Sequence, residues 1–302
     1  MILLIAKSVS MLYLIPMNTD FTIRRMELSD IDDLIALGAA IEWKMIPGNW
    51  LLTLGPFPEH CFVAIADGKL AGSAVSCCYD GKHAVISKVI VEKSCRRRGI
   101  AMNLMQRVMA SYPRGTSFLL DSSPYGIELY RKLGFSEMEF PRIRKLRTFD
   151  FQLCPEDKAE LAIPLEKTDL QEISALDFQV SRMDRSRILR KYFDAAPELA
   201  FKVVNESKIT GFCLGNRSGI CREICPLIAD GTVAAKTLFL KSVMADENHG
   251  IIVDIPACHA ELISFLESRS MTLLMELVRM KKGNTPFYVP QHYFSLLGSN
   301  LG

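Results

Sequence analysis

The sequence predicts an α+β protein with two similar domains, each a mixed, mostly antiparallel twisted sheet flanked by helices. Three features support this prediction: strand-like runs joined by Asp-Gly turns, amphipathic helical stripes between strands, and two segments that recur at one offset. A length of 302 residues leaves room for about two domains, each able to bury a core. Lys and Arg number 36 against 34 Asp and Glu, so the net charge of +2 does not indicate a general nucleic-acid binder.

The first predicted domain opens with a strand at residues 22–26 and a helix from Ile31. Ser29 is the predicted N-cap of this helix, because acidic residues follow it in the first turn. Two Asp-Gly pairs, at 67–68 and 80–81, then separate three apolar runs, which is a strong signal for β-hairpins. We therefore expect an antiparallel meander with strands at 61–66, 70–79 and 83–91.

The remainder of this domain alternates helices with strands. Ile100 and Leu104 lie on one face of a predicted helix, and a strand is expected at 117–120. A short helix is expected around Leu129, and a last pair of strands near 143–149. Helices inserted between strands in this way predict a mixed sheet.

Two segments of the chain repeat without gaps at an offset of 139 residues (168 − 29). Residues 29–37 align with 168–176, and residues 62–72 align with 201–211. Two ungapped matches at one offset indicate a duplicated domain. The polar stretch at 152–160 is the predicted boundary between the two copies.

Both ends of the chain are predicted to lie outside the duplicated domains. The first sixteen residues are apolar, but Lys7 interrupts them and no small-residue cleavage site follows, so they match neither a secretory signal nor a membrane span. Met17 is the expected working start. Nine cysteines without a Cys-x-x-Cys pair are typical of reduced thiols in a cytoplasmic protein. The predicted organisation is an extension at 1–16, a first domain at 17–151, a linker at 152–160, a second domain at 161–283 and an aromatic tail at 284–302.

A basic turn between a strand and a helix is the first candidate site. Arg96, Arg97 and Arg98 precede Gly99, and Ala101 lies at the start of the predicted helix. A helix start offers unpaired backbone N–H groups and the positive end of the helix dipole, and small residues let an anion approach them. Arginine side chains add charged donors. The pattern predicts a phosphate-binding turn.

Tyr130 makes this pattern more specific. It follows Arg96 by 34 residues (130 − 96), within the segment Leu-Tyr-Arg-Lys-Leu-Gly-Phe. Residues 21–150, with Arg96-x-x-Gly99-x-Ala101 after a strand and this later tyrosine, resemble the GNAT superfamily of acyl-CoA-dependent N-acyltransferases. The whole chain resembles a tandem form of that family, with a second, degenerate GNAT-like domain. The resemblance implies acetyl-CoA as the donor substrate.

The resemblance also implies roles for individual residues. Three strand residues would pair with the pantetheine arm through their backbone, six residues would hold the pyrophosphate, and Ser123 stands where many family members have Asn. Tyr130 would lie near the thioester sulfur and act as a general acid for the departing thiolate. The implied donor-binding residues are Val89, Ile90, Val91, Arg96, Arg97, Arg98, Gly99, Ile100, Ala101 and Ser123.

The general base is not determined by the sequence. An alkyl amine with a pKa near ~10.4 is almost wholly protonated at pH 7, so the site has to accept a proton before the amine attacks. Glu42, just before a predicted loop at 47–50, stands where this superfamily usually builds its acceptor site. Asp121, at the end of the predicted strand before Tyr130, is a second candidate, and a water chain is a third.

The second domain lacks the features that suggest donor binding in the first. Its turn after residue 229 is about four residues shorter (139 − 135) and has no arginine, and Phe265 and Leu266 stand near the position of Tyr130. We therefore expect this domain to bind no coenzyme A and to stabilise the first domain or wall its acceptor pocket. The aromatic tail either seals the groove between the domains or contributes Tyr288, His292 and Tyr293 to the acceptor pocket.

These observations predict an N-acetyltransferase that moves an acetyl group from acetyl-CoA to a primary amine by direct attack in a ternary complex. One alternative is an acyl-CoA-binding pseudoenzyme or sensor. Another is a nucleic-acid-associated protein that uses Arg96 to Arg98 and the basic run 142–147. The expected partner is a small-molecule or peptide amine, with no nucleic acid and no membrane. The histidines show no metal-ligand spacing. The acceptor and the oligomeric state stay open.

Overall fold

The computed structural model describes residues 20–40, 46–218, 221–246, 249–284 and 288–298. These residues form a mixed sheet that runs through the whole chain, with helices on its faces, which confirms the α+β prediction. The predicted extension at 1–16 and Glu42 both lie outside the described residues.

The first half of the chain follows the predicted order of elements. The meander is present, and β4 has its predicted bounds. Asp67 and Gly68 both have positive φ, as a two-residue hairpin turn of this kind requires. The elements are β1 (Phe21–Arg25), α1 (Ile31–Ala39), α2 (Pro47–Leu54), β2 (Phe62–Ala66), β3 (Lys69–Cys78), β4 (His83–Val91), α3 (Ile100–Ala110), β5 (Ser117–Ser122), α4 (Ile127–Lys132) and β6 (Ser136–Thr148).

Three predictions about this half are wrong. The N-cap of α1 is Asp30, not Ser29, and the Asp30 carboxylate accepts from the backbone N–H of Glu27 at 2.8 Å and from Arg24. The expected strand pair near 143–149 is one long strand, β6, because Pro141 in its middle does not end it. The expected loop at 47–50 is the start of α2, where proline occupies the first turn and needs no hydrogen-bond partner there.

The second half repeats this order. Its turn between β10 and α7 is short, as the sequence predicts, with only Asp230 and Gly231 between the two elements. The elements are β7 (Ala162–Pro164), α5 (Leu170–Ser181), α6 (Ser186–Ala195), β8 (Phe201–Asn205), β9 (Lys208–Ser218), β10 (Cys221–Ala229), α7 (Thr232–Ala245), β11 (Gly250–Pro256), α8 (Ala260–Ser268), β12 (Thr272–Lys282) and β13 (Tyr293–Ser295).

Two local features recur in both halves and support the duplication. The Asp169 carboxylate accepts a hydrogen bond from the Glu166 N–H at 2.7 Å, as the Asp30 carboxylate does from the Glu27 N–H. The two pairs are separated by the same offset of 139 residues (169 − 30). The central strand of each half also carries a bulge. Two residues, 88 and 89 in β4 and 225 and 226 in β10, stand opposite a single residue of the neighbouring strand.

The two halves exchange strands. The sheet order is β1-β2-β3-β4-β5-β12-β6-β11-β10-β9-β8-β7, with β13 beside β10. β12 of the second half therefore lies between β5 and β6 of the first, and β6 lies between β12 and β11 of the second. All three pairings are antiparallel. Residues 152–160, the predicted linker, contain no helix or strand, but the sheet does not separate there.

Buried apolar side chains form four cores in the described part of the chain. One packs α3 and α4 on the first half, one packs α1 and α2, and one packs α7 and α8 on the second half. The fourth spans both halves, and we call it the shared core. It joins Val85 and Leu119 of the first half to Ile173 on α5, Leu189 on α6 and Tyr288 in the tail.

Because of the strand exchange, we expect that neither half folds independently of the other. A fragment of residues 17–151 leaves β5 without β12 and exposes both edges of β6, so its backbone groups and the shared core lose their partners. We expect this fragment to lack a cooperative thermal transition by calorimetry. Adding residues 152–302 is expected to restore one. A cooperative transition in the isolated fragment would contradict the prediction.

Candidate functional site

β4 and β5 diverge after a short paired stretch, and we call the space between them the groove. These strands are parallel and pair only at three positions, His83 to Val85 against Ser117 to Leu119, and then diverge. From Ile86 to Val91, β4 has no backbone pairing with β5. Parallel strands that separate in this way leave backbone donors and acceptors facing the space between them.

Val89, Ile90 and Val91 form the β4 wall of this groove. The side chains of Val89 and Val91 pack toward α3, and that of Ile90 is buried in the core with α1 and α2. The side chains are therefore used for packing, and only the main chain of this stretch is available on the edge facing β5. This arrangement suits recognition of an extended polar chain through backbone hydrogen bonds.

The predicted phosphate-binding turn joins the end of β4 to α3. The Glu92 carboxylate accepts from the N–H groups of Ser94 and Cys95, which fixes the first part of the turn. Arg97 and Gly99 then adopt positive φ values of 64° and 83°. No side chain of the described residues caps the start of α3, so the N–H groups of its first turn are open to a ligand.

The three arginines of the turn differ in their contacts. Arg96 and Arg97 are exposed, and among the described residues neither forms an ion pair. Arg96 Nε donates to the Val91 carbonyl at 3.3 Å, at the end of the groove wall. Arg98 instead donates to the Asp20 carbonyl at 3.1 Å and lies 3.6 Å from the Asp67 carboxylate. Arg96 and Arg97 are thus the side chains better placed to meet an anion.

Ile100 and Ala101 begin α3 at the end of this turn. The Ile100 side chain is buried in the core below α3, so only its main chain is available to a ligand. Ala101 is half-buried and presents only a methyl group. The first two residues of α3 therefore place no bulky side chain on its outer surface.

Ser123 and Tyr130 lie on the other side of the groove, beyond the end of β5. The Ser123 carbonyl accepts from the Ser122 hydroxyl and from the Gly126 N–H, which forms a tight turn into α4. Tyr130 packs against Phe135, and its ring lies so close to Gly126 that an added Cβ there would stand 2.7 Å from it. Gly126 therefore makes room for the Tyr130 ring.

The Tyr130 phenol is suited to donating a proton and not to removing one. Burial raises its pKa above the ordinary value of 10, so the hydroxyl stays protonated at neutral pH. Within the described part of the chain its hydroxyl forms no hydrogen bond. It is therefore available as a donor to a group bound beside it.

The structure brings Asp121 to the groove but binds its carboxylate. Arg279 of β12 donates from Nε and Nη2 to the two Asp121 oxygens, each at 2.8 Å. The two side chains are 1% and 2% exposed. Both oxygens of the Asp121 carboxylate already accept hydrogen bonds from Arg279, which leaves them less free to contact a bound amine. Asp121 is therefore the poorer of the two acidic base candidates.

Sequence reasoning missed Lys88 and Arg279. Lys88 lies in the β4 bulge with φ of 50° and is 3% exposed. Its ammonium donates to Thr53 Oγ1 at 2.9 Å and lies 5.5 Å from the Trp50 ring, both on α2. Burial lowers the pKa of Lys88. A lysine within a strand gives no sequence signal that it is buried. Arg279 could not be paired with Asp121 from the sequence, because 158 residues separate them (279 − 121).

The second half has the same divergence, but its tail fills it. β10 and β11 are parallel and pair at 221–223 against 250–252 before they separate. β13 then pairs antiparallel with β10 at Leu227 and Ile228, and the Leu296 N–H donates to the Asp254 carbonyl at 2.8 Å. The tail thus occupies the position that corresponds to the groove of the first half.

The basic run at 142–147 is engaged with the second half. Arg142, Arg144 and Lys145 form ion pairs with acidic residues on β12, α8 and β11. No group of three or more His, Cys, Asp or Glu that could hold a metal occurs in the residues that the structure describes. In the same residues, no helix is both long and apolar enough to cross a bilayer.

Comparisons with known families identify both halves of the chain. Residues 58–137 match a model described as an acetyltransferase (GNAT) domain, and residues 173–294 match a second model with the same description. Together the two matches cover more than half of the sequence, and the second extends into β13. The chain belongs to the GNAT acetyltransferases and carries two GNAT domains in tandem. The family resemblance drawn from the arginine turn and Tyr130 is confirmed.

Individual relatives agree with this assignment. The uncharacterized N-acetyltransferase YitH of Bacillus subtilis (strain 168) is 22% identical over 196 residues, covering 64% of this chain and 68% of YitH. A candidate acetyltransferase from Pyrococcus horikoshii superposes with a TM-score of 0.77 at 21% identity, covering 94% of this chain and 96% of its own. A tandem GNAT protein from the clavulanic acid biosynthesis pathway has a TM-score of 0.61 at 13% identity, covering 88% and 99%. These structures support the tandem fold.

The buried Lys88 predicts a particular pH dependence of stability. Its folded-state pKa is below the ordinary value of 10.5. Burying the charged form of Lys88 therefore costs more folding free energy than burying the neutral form. Between the lowered pKa and 10.5, wild type is expected to gain stability relative to Lys88→Met as the pH rises. Urea denaturation at about pH 7 and about pH 9.5 measures this difference.

Lys82→Met is the matched control, since Lys82 is exposed. Its stability difference from wild type is expected to stay constant over the same pH interval. An equally constant difference for Lys88→Met would show that Lys88 titrates as an ordinary lysine.

Proposed function

We propose that the protein is an N-acetyltransferase that transfers an acetyl group from acetyl-CoA, bound in the groove of the first half, to a primary amine. The observation that carries this proposal is the divergence of β4 and β5 directly before the start of α3. Among the described residues, no side chain caps this helix start, and Arg96 and Arg97 beside it form no ion pair. Such a site offers a backbone wall for a long polar arm and charged donors for a pyrophosphate at its end. Membership of the GNAT acetyltransferases supports it.

The donor-binding residues divide into three groups. The main chain of Val89, Ile90 and Val91 pairs with the pantetheine arm. The N–H groups of Gly99, Ile100 and Ala101, with Arg96 and Arg97, bind the pyrophosphate, whereas Arg98 orders the turn through Asp20 and Asp67. Ser123 contributes from the β5 side. The family pattern implies this set of residues, and the local geometry supports the roles of the β4 main chain and of the start of α3.

The reaction requires a neutral amine, stabilisation of the negative charge that develops on the carbonyl oxygen, and a proton for the departing thiolate. Acetyl-CoA supplies the activated acetyl thioester. Backbone N–H groups of β4 are available to the developing negative charge on the carbonyl oxygen. The Tyr130 phenol gives its proton to the sulfur, since burial keeps it protonated. The amine attacks directly in a ternary complex.

The base that receives the amine proton is Glu42 or a chain of waters. Asp121 is disfavoured because Arg279 binds both of its oxygens. The shared core covers the side of the sheet where Asp121 and Val85 point, so the second half walls the region next to the groove. An acceptor that fits there is a small-molecule or peptide amine.

Calorimetric titration with acetyl-CoA tests the donor site without knowledge of the acceptor. We expect one site per chain, because β13 fills the corresponding position of the second half. Arg96→Glu combined with Arg97→Glu is expected to weaken binding by about tenfold or more, which corresponds to one charge-assisted contact. Arg114→Glu, an exposed arginine on a loop away from the groove, is the control. Two sites per chain would contradict the assignment of the second half, and no binding would contradict the proposed function.

Tyr130→Phe distinguishes an enzyme from an acyl-CoA-binding sensor. Loss of the general acid is expected to lower kcat by about tenfold to hundredfold, while acetyl-CoA affinity stays within about twofold. Turnover is measured by thiol release in a screen of amines. Tyr192→Phe, which removes a buried hydroxyl in the second half, controls for packing. Wild-type binding without thiol release from any amine would favour the sensor.

A further inference from the structure

β5 has the donor groove on one edge and a strand of the second half on the other. Its pairing with β4 ends at Leu119, whereas its pairing with β12 continues through Asp121 and Ser122. Asp121 and Ser122 therefore no longer pair with β4, and their strand pairing is with β12. The position of the β5 wall, where the groove opens, depends on β12.

Arg279 on β12 is the direct cross-strand partner of Asp121. Their bidentate ion pair lies in the interior, with both side chains at most 2% exposed. The Asp121 residue as a whole is nevertheless half-buried, so its main chain is accessible. Asp121 is thus anchored through its side chain while its backbone faces the groove.

The tail supports Arg279 from the second half. The pairing of β6 with β12 is interrupted between Glu137 and Arg142, opposite Arg279. The Tyr288 hydroxyl donates to the Phe140 carbonyl in this bulged segment at 2.9 Å, and its ring lies 5.0 Å from the Arg279 guanidinium. A planar guanidinium under an aromatic ring has a fixed orientation.

Stability alone does not explain this ion pair. Replacing a buried ion pair by well-packed apolar residues is often neutral or stabilising, because the desolvation of two charges offsets their attraction. A bidentate Arg–carboxylate pair does supply a defined geometry, since two parallel hydrogen bonds fix both side chains. The neighbouring cross-strand pair, Leu120 with Met280, is apolar and provides no such constraint.

We propose that Arg279 is a positioning residue for the donor site: through Asp121 it holds the β5 wall of the groove in the geometry that binds acetyl-CoA. The inference rests on the proposed function, because it concerns the same groove. It gives the second half a direct part in donor binding, through one side chain on the exchanged strand. Arg279 itself does not touch the donor.

The test separates this role from stability with a double variant. Arg279→Met alone leaves the buried Asp121 carboxylate without its partner, and is expected to lose both stability and acetyl-CoA affinity. Asp121→Leu with Arg279→Met removes both charges and is expected to regain a melting temperature near that of wild type. Its dissociation constant for acetyl-CoA, measured by calorimetry, is still expected to be at least about fivefold higher than that of wild type. A double variant with wild-type stability and wild-type affinity would overturn the inference.

Arg279→Lys decides the matter if the double variant does not fold. It keeps the charge and loses the bidentate geometry, so we expect a folded protein with an affinity between those of wild type and the double variant. Wild-type affinity in Arg279→Lys would also overturn the inference. The matched control is Asp177→Leu with Arg185→Met, another buried bidentate pair that lies within the second half. It is expected to change stability without changing acetyl-CoA affinity.

Wild-type titration is carried out first, which keeps the two hypotheses apart. Absence of acetyl-CoA binding by wild type would overturn the proposed function and this inference with it. Normal wild-type binding together with unchanged affinity in the stable variants would overturn only the role of Arg279.

Discussion

The reciprocal pairing of β6 and β12 is the constraint on which the rest of the structure depends. A strand has hydrogen-bonding groups on both edges, and each half of this chain fills one of those edges with a strand of the other half. The result is one continuous sheet in place of two sheets in contact. The shared core that joins the two halves and the Asp121–Arg279 pair both follow from this connection.

Local structure was predictable from the sequence where a short segment determines it. The Asp-Gly turns at 67–68 and 80–81 require backbone conformations that few residues adopt, so the meander and the bounds of β4 could be located. The arginine turn was found because its residue types and the helix start are adjacent in the chain. The duplication was visible because its copies keep one offset.

Features that depend on distant partners could not be predicted in this way. Nothing in the residues of β12 themselves shows that its neighbours are β5 and β6. The burial of Lys88 depends on α2, and the partner of Asp121 lies in the other half of the chain. Asp121 was therefore a reasonable base candidate from its position alone, and its contact with Arg279 is what disfavours it.

The order in which the ribosome makes the chain gives the strand exchange a further consequence. β12 is synthesised after every α-helix of both halves, since α8 ends at Ser268 and β12 begins at Thr272. Until then the outer edge of β5 has no strand beside it, and an unpaired edge is prone to wrong associations. A nascent chain therefore completes the β5 wall of the groove only after the helices of both halves have been made, so products that stop before β12 are not expected to carry that wall in its final position.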